Sequence, residues 1–114
     1  MIVEYIRYRI PAGEGAEFEA AYARAAGPLA GAPQCIEYEL TRCVDEPERY
    51  VLRILWTSAR DHTEGFRSSP AFGAFFAEIK PYVSAIEEMR HYGLTAVVGT
   101  GGAGPRRGDV PPSG

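Results

Sequence analysis

Residues 1–10 alternate with period two: Ile2, Glu4, Ile6, Tyr8 and Ile10 share one face, Val3, Tyr5, Arg7 and Arg9 the other. That is the pattern of a strand, and Pro11-Ala12-Gly13 ends it. Over 14–29 the period changes. Phe18, Ala21, Tyr22, Ala25 and Leu29 fall on one side at helical spacing, with Glu14 and Glu17 in the first turn, where the helix dipole favours acids. Gly27-Pro28 is expected to close this helix. Residues 34–43 read as a second strand, with Ile36, Tyr38 and Leu40 against Glu37, Glu39 and Thr41. After a turn at Asp45-Glu46-Pro47-Glu48, residues 49–56 form a third strand. It is apolar on both faces except at Arg53, so it belongs in the middle of a sheet.

Thr57-Ser58 opens a short helix, with Ser58 and Asp61 in a capping-box arrangement and Ala59, His62 and Phe66 on one side. Ser69-Pro70 starts another, whose apolar face is Phe72, Phe75, Phe76 and Ile79, and Pro81 ends it. Residues 83–92 supply a fourth strand. From Gly99 onward the chain is Gly, Pro and small polar residues, a composition expected to stay disordered. Residues 1–96 thus form one domain and 97–114 a tail.

The order is β-α-β-β-α-β, the split arrangement of ferredoxin-like α+β folds, with helices on one face of an antiparallel sheet. The opposite face would leave Val3, Tyr5, Val51 and Leu55 exposed. Pairing with a second copy would cover them, so a homodimer is expected. Arg53 needs a partner there, and Glu37 or Glu39 on the neighbouring strand can supply it.

Composition changes this picture little. At 114 residues with 46% hydrophobic and 24% charged positions, the chain is an ordinary globular domain. The net charge is −3 and Lys80 is the one lysine among twelve basic residues, with the arginines dispersed. No basic patch for nucleic acid follows. No apolar run approaches a membrane span, and residues 1–10 do not read as a signal peptide, so a cytoplasmic protein is expected. Cys35 and Cys43 on one strand would stand roughly 26 Å apart, beyond disulfide reach, and read as reduced thiols. Two histidines and scattered acids give no metal-ligand spacing along the chain. Residues 99–104 lack the Lys-Ser/Thr of a phosphate loop, and Arg107-Gly108-Asp109 reads as a chance adhesion tripeptide.

Two segments, CIEYELTRCVDEPERYVLRILW and WTSARDHTEGFRSSPAFGAFFAEIKPYVSAIEEMRHY, carry a resemblance. Trp56 ends a strand, His62 precedes Phe66 by four residues, Ser69 to Phe72 make a Ser-Pro-x-Phe step, and Glu88 to Tyr92 close the run. Together they resemble the antibiotic biosynthesis monooxygenase family of dimeric α+β barrels, over roughly residues 1–96. That family includes cofactor-independent oxygenases of anthrones and quinols, haem-degrading enzymes, an isomerase-like signal-processing enzyme and members of no known activity. The resemblance implies a helix–sheet cleft lined here by Ile6, Tyr8, Tyr38, Leu52, Trp56, His62, Phe66, Phe72 and Phe76. The asparagine, tryptophan and histidine of the haem-degrading members fall on Ile6, Phe66 and Phe76, so that set is lost. The chain has no asparagine to partner Trp56 as the anthrone oxygenases use it.

An oxygenase without metal or flavin needs a base, donors for an oxyanion and a dry aromatic pocket. His62 is the expected base, since a free imidazole titrates near neutrality, and Trp56 the stacking surface. Tyr8, Tyr38, Leu52, Phe66, Phe72 and Phe76 are the expected substrate-binding set. His91, at the end of the last strand, reads as structural or as part of a dimer edge. The leading expectation is a cofactor-independent monooxygenase of a small aromatic metabolite, with no metal. The alternatives are a non-catalytic dimeric ligand-binding or accessory module and a purely structural dimer whose core is closed.

Overall fold

The computed structural model describes residues 1–104. Four strands, β1 (Ile2–Arg9), β2 (Cys35–Arg42), β3 (Arg49–Trp56) and β4 (Ile86–Gly93), form one antiparallel sheet in the order β2-β3-β1-β4. The sheet is open, and β3 and β1 hold its centre, as the two-sided apolar pattern of β3 requires. Two α-helices, α1 (Gly15–Ala30) and α2 (Pro70–Ile79), cover one face. This is the ferredoxin-like α+β order expected from the sequence.

The helix-facing side of the sheet is laid out in rows by the register. Tyr38, Ile54, Glu4 and His91 make one row; Leu40, Leu52, Ile6 and Met89 the next. Phe18, fully buried on α1, anchors the far end of the core among the rings of Tyr8, Tyr22, Tyr50 and Tyr82, with centroids 4.9–5.2 Å away. Such edge-on contacts add to the stabilisation from area burial alone. Tyr8 and Tyr22 pair their hydroxyls inside this cluster. A β-carbon at Gly15 would lie 2.8 Å from the Tyr50 hydroxyl, so glycine admits that group, which donates to Glu19.

Several local details differ from the sequence pattern. Helix α1 runs through Pro28 to Ala30. A proline this near the C-terminus forfeits one backbone bond, and the turn it belongs to buries Leu29. Residues Lys80–Ala85 form a 3₁₀ turn, so β4 begins at Ile86 and not at Val83. A bulge between Cys35 and Glu37 turns Ile36 outward, leaving it 47% exposed, while Cys35 packs against the core instead. Both cysteines are free thiols.

The second face is less open than expected. Val3 sits between Leu55 and Tyr92 in the register, and Tyr5 meets Tyr92 edge-on at 5.5 Å. These neighbours bury Val3 and Leu55 within a single chain, and Tyr5 and Val51 are half-buried. Arg53 pairs with Glu37 at 2.8 Å and Glu39 at 3.8 Å, as anticipated. No helix among the described residues is long and apolar enough to cross a membrane. Residues 94–104 are exposed and contain no helix or strand; the adhesion-like tripeptide lies outside the described residues.

Candidate functional site

Glu4 is the centre of the site. The alternation of β1 places its carboxyl among Ile2, Ile6 and Tyr8 on the helix-facing side, and it is only 2% exposed. A buried carboxyl needs partners, and three elements supply them. Trp56, the last residue of β3, donates its indole N–H to Glu4 Oε1 at 3.1 Å. His62 Nε2 lies 3.4 Å from the same oxygen. On β4, His91 stands opposite Glu4 in the register and brings Nε2 to 3.3 Å from Oε2. The same nitrogen is 3.1 Å from His62 Nδ1, which closes the ring of contacts.

His62 reaches this position because its helix is widened. Residues Asp61–Phe66 form a π turn, in which the Arg67 N–H bonds the His62 carbonyl five residues back. The Ser58 hydroxyl caps the turn by accepting from the Asp61 N–H at 3.0 Å. The widened turn buries His62 and Phe66 together and leaves Ala59, expected on their side, exposed. A β-carbon at Gly65 would meet the Gln34 side chain at 3.0 Å, so the turn lies tight against the chain entering β2. The His62 ring stacks on Trp56 at 4.6 Å, and Phe66 packs on the other flank at 5.0 Å.

Electrostatics divide the roles. Burial pushes the Glu4 carboxyl above its ordinary value, although the Trp56 hydrogen bond and the nearby His91 and Arg67 oppose the shift. Burial, with the Arg67 and His91 charges adding to it, pulls His62 down to about 4. His62 is therefore neutral near pH 7, and its Nε2 stands 3.4 Å from Glu4 Oε1. Its Nδ1 is hydrogen-bonded to His91 Nε2 at 3.1 Å. The sequence reading of His62 as a near-neutral base assumed an unperturbed imidazole, whereas burial lowers this ring to about 4.

Beside Glu4 lies a cavity of about 120 Å³, lined by Glu4, Ile6, Tyr8, Ile54, Arg67, Phe72, Phe75, Phe76, Ile79, Val83, Ile86 and Met89. Its lining includes two ionisable residues, Glu4 and Arg67, beside the Tyr8 phenol. Tyr8 is hydrogen-bonded to Tyr22, and burial raises its phenol to about 12.

A family model for antibiotic biosynthesis monooxygenase matches residues 1–78. The chain belongs to the antibiotic biosynthesis monooxygenase family. Within and beyond that span it is 30% identical over 92 residues to the uncharacterized protein YczJ of Bacillus subtilis strain 168, covering 81% of this chain and 97% of that one. It superposes on a provisionally named antibiotic biosynthesis monooxygenase of Bordetella bronchiseptica with TM-score 0.67 and 27% identity, over 82% of this chain and 96% of the other. SnoaB, a cofactor-independent oxygenase from Streptomyces nogalater, superposes with TM-score 0.65 at 24% identity, over 86% and 94% of the two chains, and shares the fold.

Against that family background, the expected site residues separate into three groups. Tyr8, Phe72 and Phe76 line the cavity, together with Ile6. Trp56 and His62 stack behind it and reach it through Glu4, and Phe66 reaches it through Phe72 and Phe75. Tyr38 and Leu52 lie elsewhere: they line a separate open groove of about 290 Å³ on the other flank of α1, with Tyr22 and Leu29. Helix α1 seats on the middle of the sheet and divides what the sequence joined into one cleft. Glu4, Arg67 and His91 were not in the expected set. The signal for Glu4 was one acid on an otherwise apolar strand face. For His91 it was visible only in the register, which brings the residue read as structural or as part of a dimer edge into direct contact with His62. The lack of metal-ligand spacing along the chain does not carry into space, where Glu4, His62 and His91 bring their ligand atoms within 4.8 Å of one another.

Proposed function

We propose that this monooxygenase-family protein oxygenates a small, single-ring phenol or quinol, with Glu4 as the base. The observation that carries the reading is the cavity itself: a pocket walled by Phe72, Phe75 and Phe76 whose lining includes Glu4 and Arg67. Its volume of about 120 Å³ selects the size class. A dry cavity of roughly 150 Å³ accepts benzene, so this smaller one takes a single ring only as its aromatic walls give way slightly, and a three-ring anthrone requires the helices to move.

The chemistry balances without an external reductant. Glu4 takes the phenolic proton, and Arg67 holds the phenolate oxygen. The electron-rich ring passes one electron to O₂, and recombination of the pair forms a carbon–oxygen bond. Proton return gives a hydroperoxide, and loss of water leaves a ring carbonyl. One oxygen atom enters the substrate; the other departs as water with the phenolic and ring hydrogens. Neutral His62, between Glu4 and half-exposed His91, gives the proton a route to solvent. The half-buried Tyr5 and Val51 and the exposed Tyr92 on the second face support a working pair of chains, which analytical ultracentrifugation checks. The free thiols of Cys35 and Cys43 suit a reducing, cytoplasmic setting.

The test is oxygen uptake across a panel of monocyclic phenols and quinols, with an anthrone for comparison. Glu4→Gln should slow turnover by roughly 10²–10⁴-fold, the usual contribution of a positioned base. His62→Ala and Trp56→Phe, which unseat Glu4, should fall between. A wild-type protein silent over the panel, or a Glu4→Gln variant as fast as wild type, overturns the reading. A second reading, a binding module without turnover, is favoured by one observation: every buried polar side-chain atom among the described residues already has a partner. It predicts thermal stabilisation by phenols with no product formed.

A further inference from the structure

We infer that Glu4, His62 and His91 form a binding site for one first-row divalent cation of the zinc, iron(II) or cobalt(II) kind. The three side chains come from β1, the π turn and β4, and their ligand atoms fall within 4.8 Å of one another. The contacts are 3.1 Å (His62 Nδ1 to His91 Nε2) and 3.3 Å (His91 Nε2 to Glu4 Oε2), while the 3.4 Å approach of His62 Nε2 to Glu4 Oε1 uses the other nitrogen and the other oxygen. Metal–ligand bonds of roughly 2.0–2.2 Å put neighbouring ligand atoms roughly 3.0–3.5 Å apart. Two edges of the set already have that length, and the third closes from within 4.8 Å as a cation enters.

The hydrogen-bonded state is also an awkward one. His91 Nε2 stands within reach of two groups at once, His62 Nδ1 and Glu4 Oε2. A cation serves all three groups at once. Trp56 holds the carboxylate from outside by its indole N–H, the kind of support that orients ligands in metal sites. His91, 41% exposed, gives a way in from solvent. Among the described residues, the charges of Arg67 and His91 bear on this cluster; Arg67 is exposed, and its guanidinium rests 3.9 Å from the Met89 sulfur. Two imidazoles and one carboxylate suit borderline cations and not magnesium or calcium, which prefer all-oxygen sets. Three protein ligands leave room for water or a substrate oxygen, the pattern of catalytic and not structural sites. The inference uses the same side chains as the proposed oxygenase but none of its chemistry, so silence in the oxygen assay leaves it standing.

The chain carries its own reporters. Trp56 is its one tryptophan and both of its histidines are in the cluster. The full chain without a histidine tag, stripped with a chelator, is titrated with cobalt(II) while the Trp56 fluorescence is read. The expected result is quenching that saturates at one cobalt per chain, with perturbed proton resonances for both histidines and no effect of magnesium. His91→Ala, at an exposed position that does not threaten folding, should weaken binding by roughly tenfold or more, the least expected of a lost ligand when outer partners alone are worth that much. Absence of quenching, binding undiminished in His91→Ala, or binding abolished by Cys43→Ser would each overturn the site.

Discussion

The same sheet face buries polar groups at both ends, and the two ends treat them differently. Around Phe18, Tyr8 and Tyr22 share a hydroxyl contact inside a ring of aromatics, and burial drives both phenols up. Those groups are neutral across the physiological range, so enclosing them adds little cost once they are paired. Around Trp56, the buried groups are a carboxyl and an imidazole, whose charged forms are the expensive ones. The first end is a filled core. The second keeps an ionisable cluster beside a cavity and lets one member, His91, reach water. Chemistry belongs where burial has made protonation negotiable, and cohesion belongs where it has not.

Substitutions should separate these two characters. Phe18→Ala removes a wholly buried ring and should cost about 3–5 kcal/mol in urea unfolding, with the cluster's Trp56 emission unchanged in the folded protein. A loss below about 1 kcal/mol would mean the aromatic end is not the anchor.

Next comes pH. The unfolded His62 takes a proton near 6.5, whereas the folded one refuses it until about 4. The unfolded state binds more protons in that window, so stability rises with pH through it. Relative to His62→Gln, the chelated wild type should lose on the order of 3 kcal/mol between pH 6.5 and 4. The raised Glu4 works with the opposite sign above pH 4.5, where the folded state holds the extra proton. Glu4→Gln should therefore steepen the slope. A flat difference curve would show that the imidazole is not desolvated.

At the tyrosine pair, Tyr22→Phe strands the Tyr8 hydroxyl and should cost about 1–3 kcal/mol, while the double change of Tyr8 and Tyr22 to Phe should recover most of it. Equal single and double losses would argue against the contact. The smallest effect belongs to the exposed Arg60–Glu64 pair on the π turn, where Arg60→Ala should shift stability by under about 0.5 kcal/mol.

What could be read along the chain was what local periodicity encodes. The four strands, α1, the Ser58 and Ser69 caps and the Arg53 ion pair all follow from neighbours a few residues apart, and all are present. The site was half legible. His62 and Trp56 stood out by type, and their stacking follows from the short span between them. Glu4 was placed on the correct face but looked like one polar interruption of an apolar series. Its partnership with His91 depends on the β1–β4 register, and that register contains a bulge between Arg7 and Tyr8 that no alternation announces. The π turn was equally invisible, because His62 and Phe66 have the same spacing in an ordinary helix. Tyr38 and Leu52 were grouped with Phe72 and Phe76 since all face the helices; only the seating of α1 shows that they cannot meet.

His91 lies on β4, which pairs with β1 on one side and with no other described strand. Any strand that added to that margin, from another chain or another molecule, would lay a roof over the half-open imidazole. Joining there and protonating or ligating the ring would then be linked, each changing the free energy of the other by the same amount. An outer seam of the sheet would become a valve on its most reactive corner.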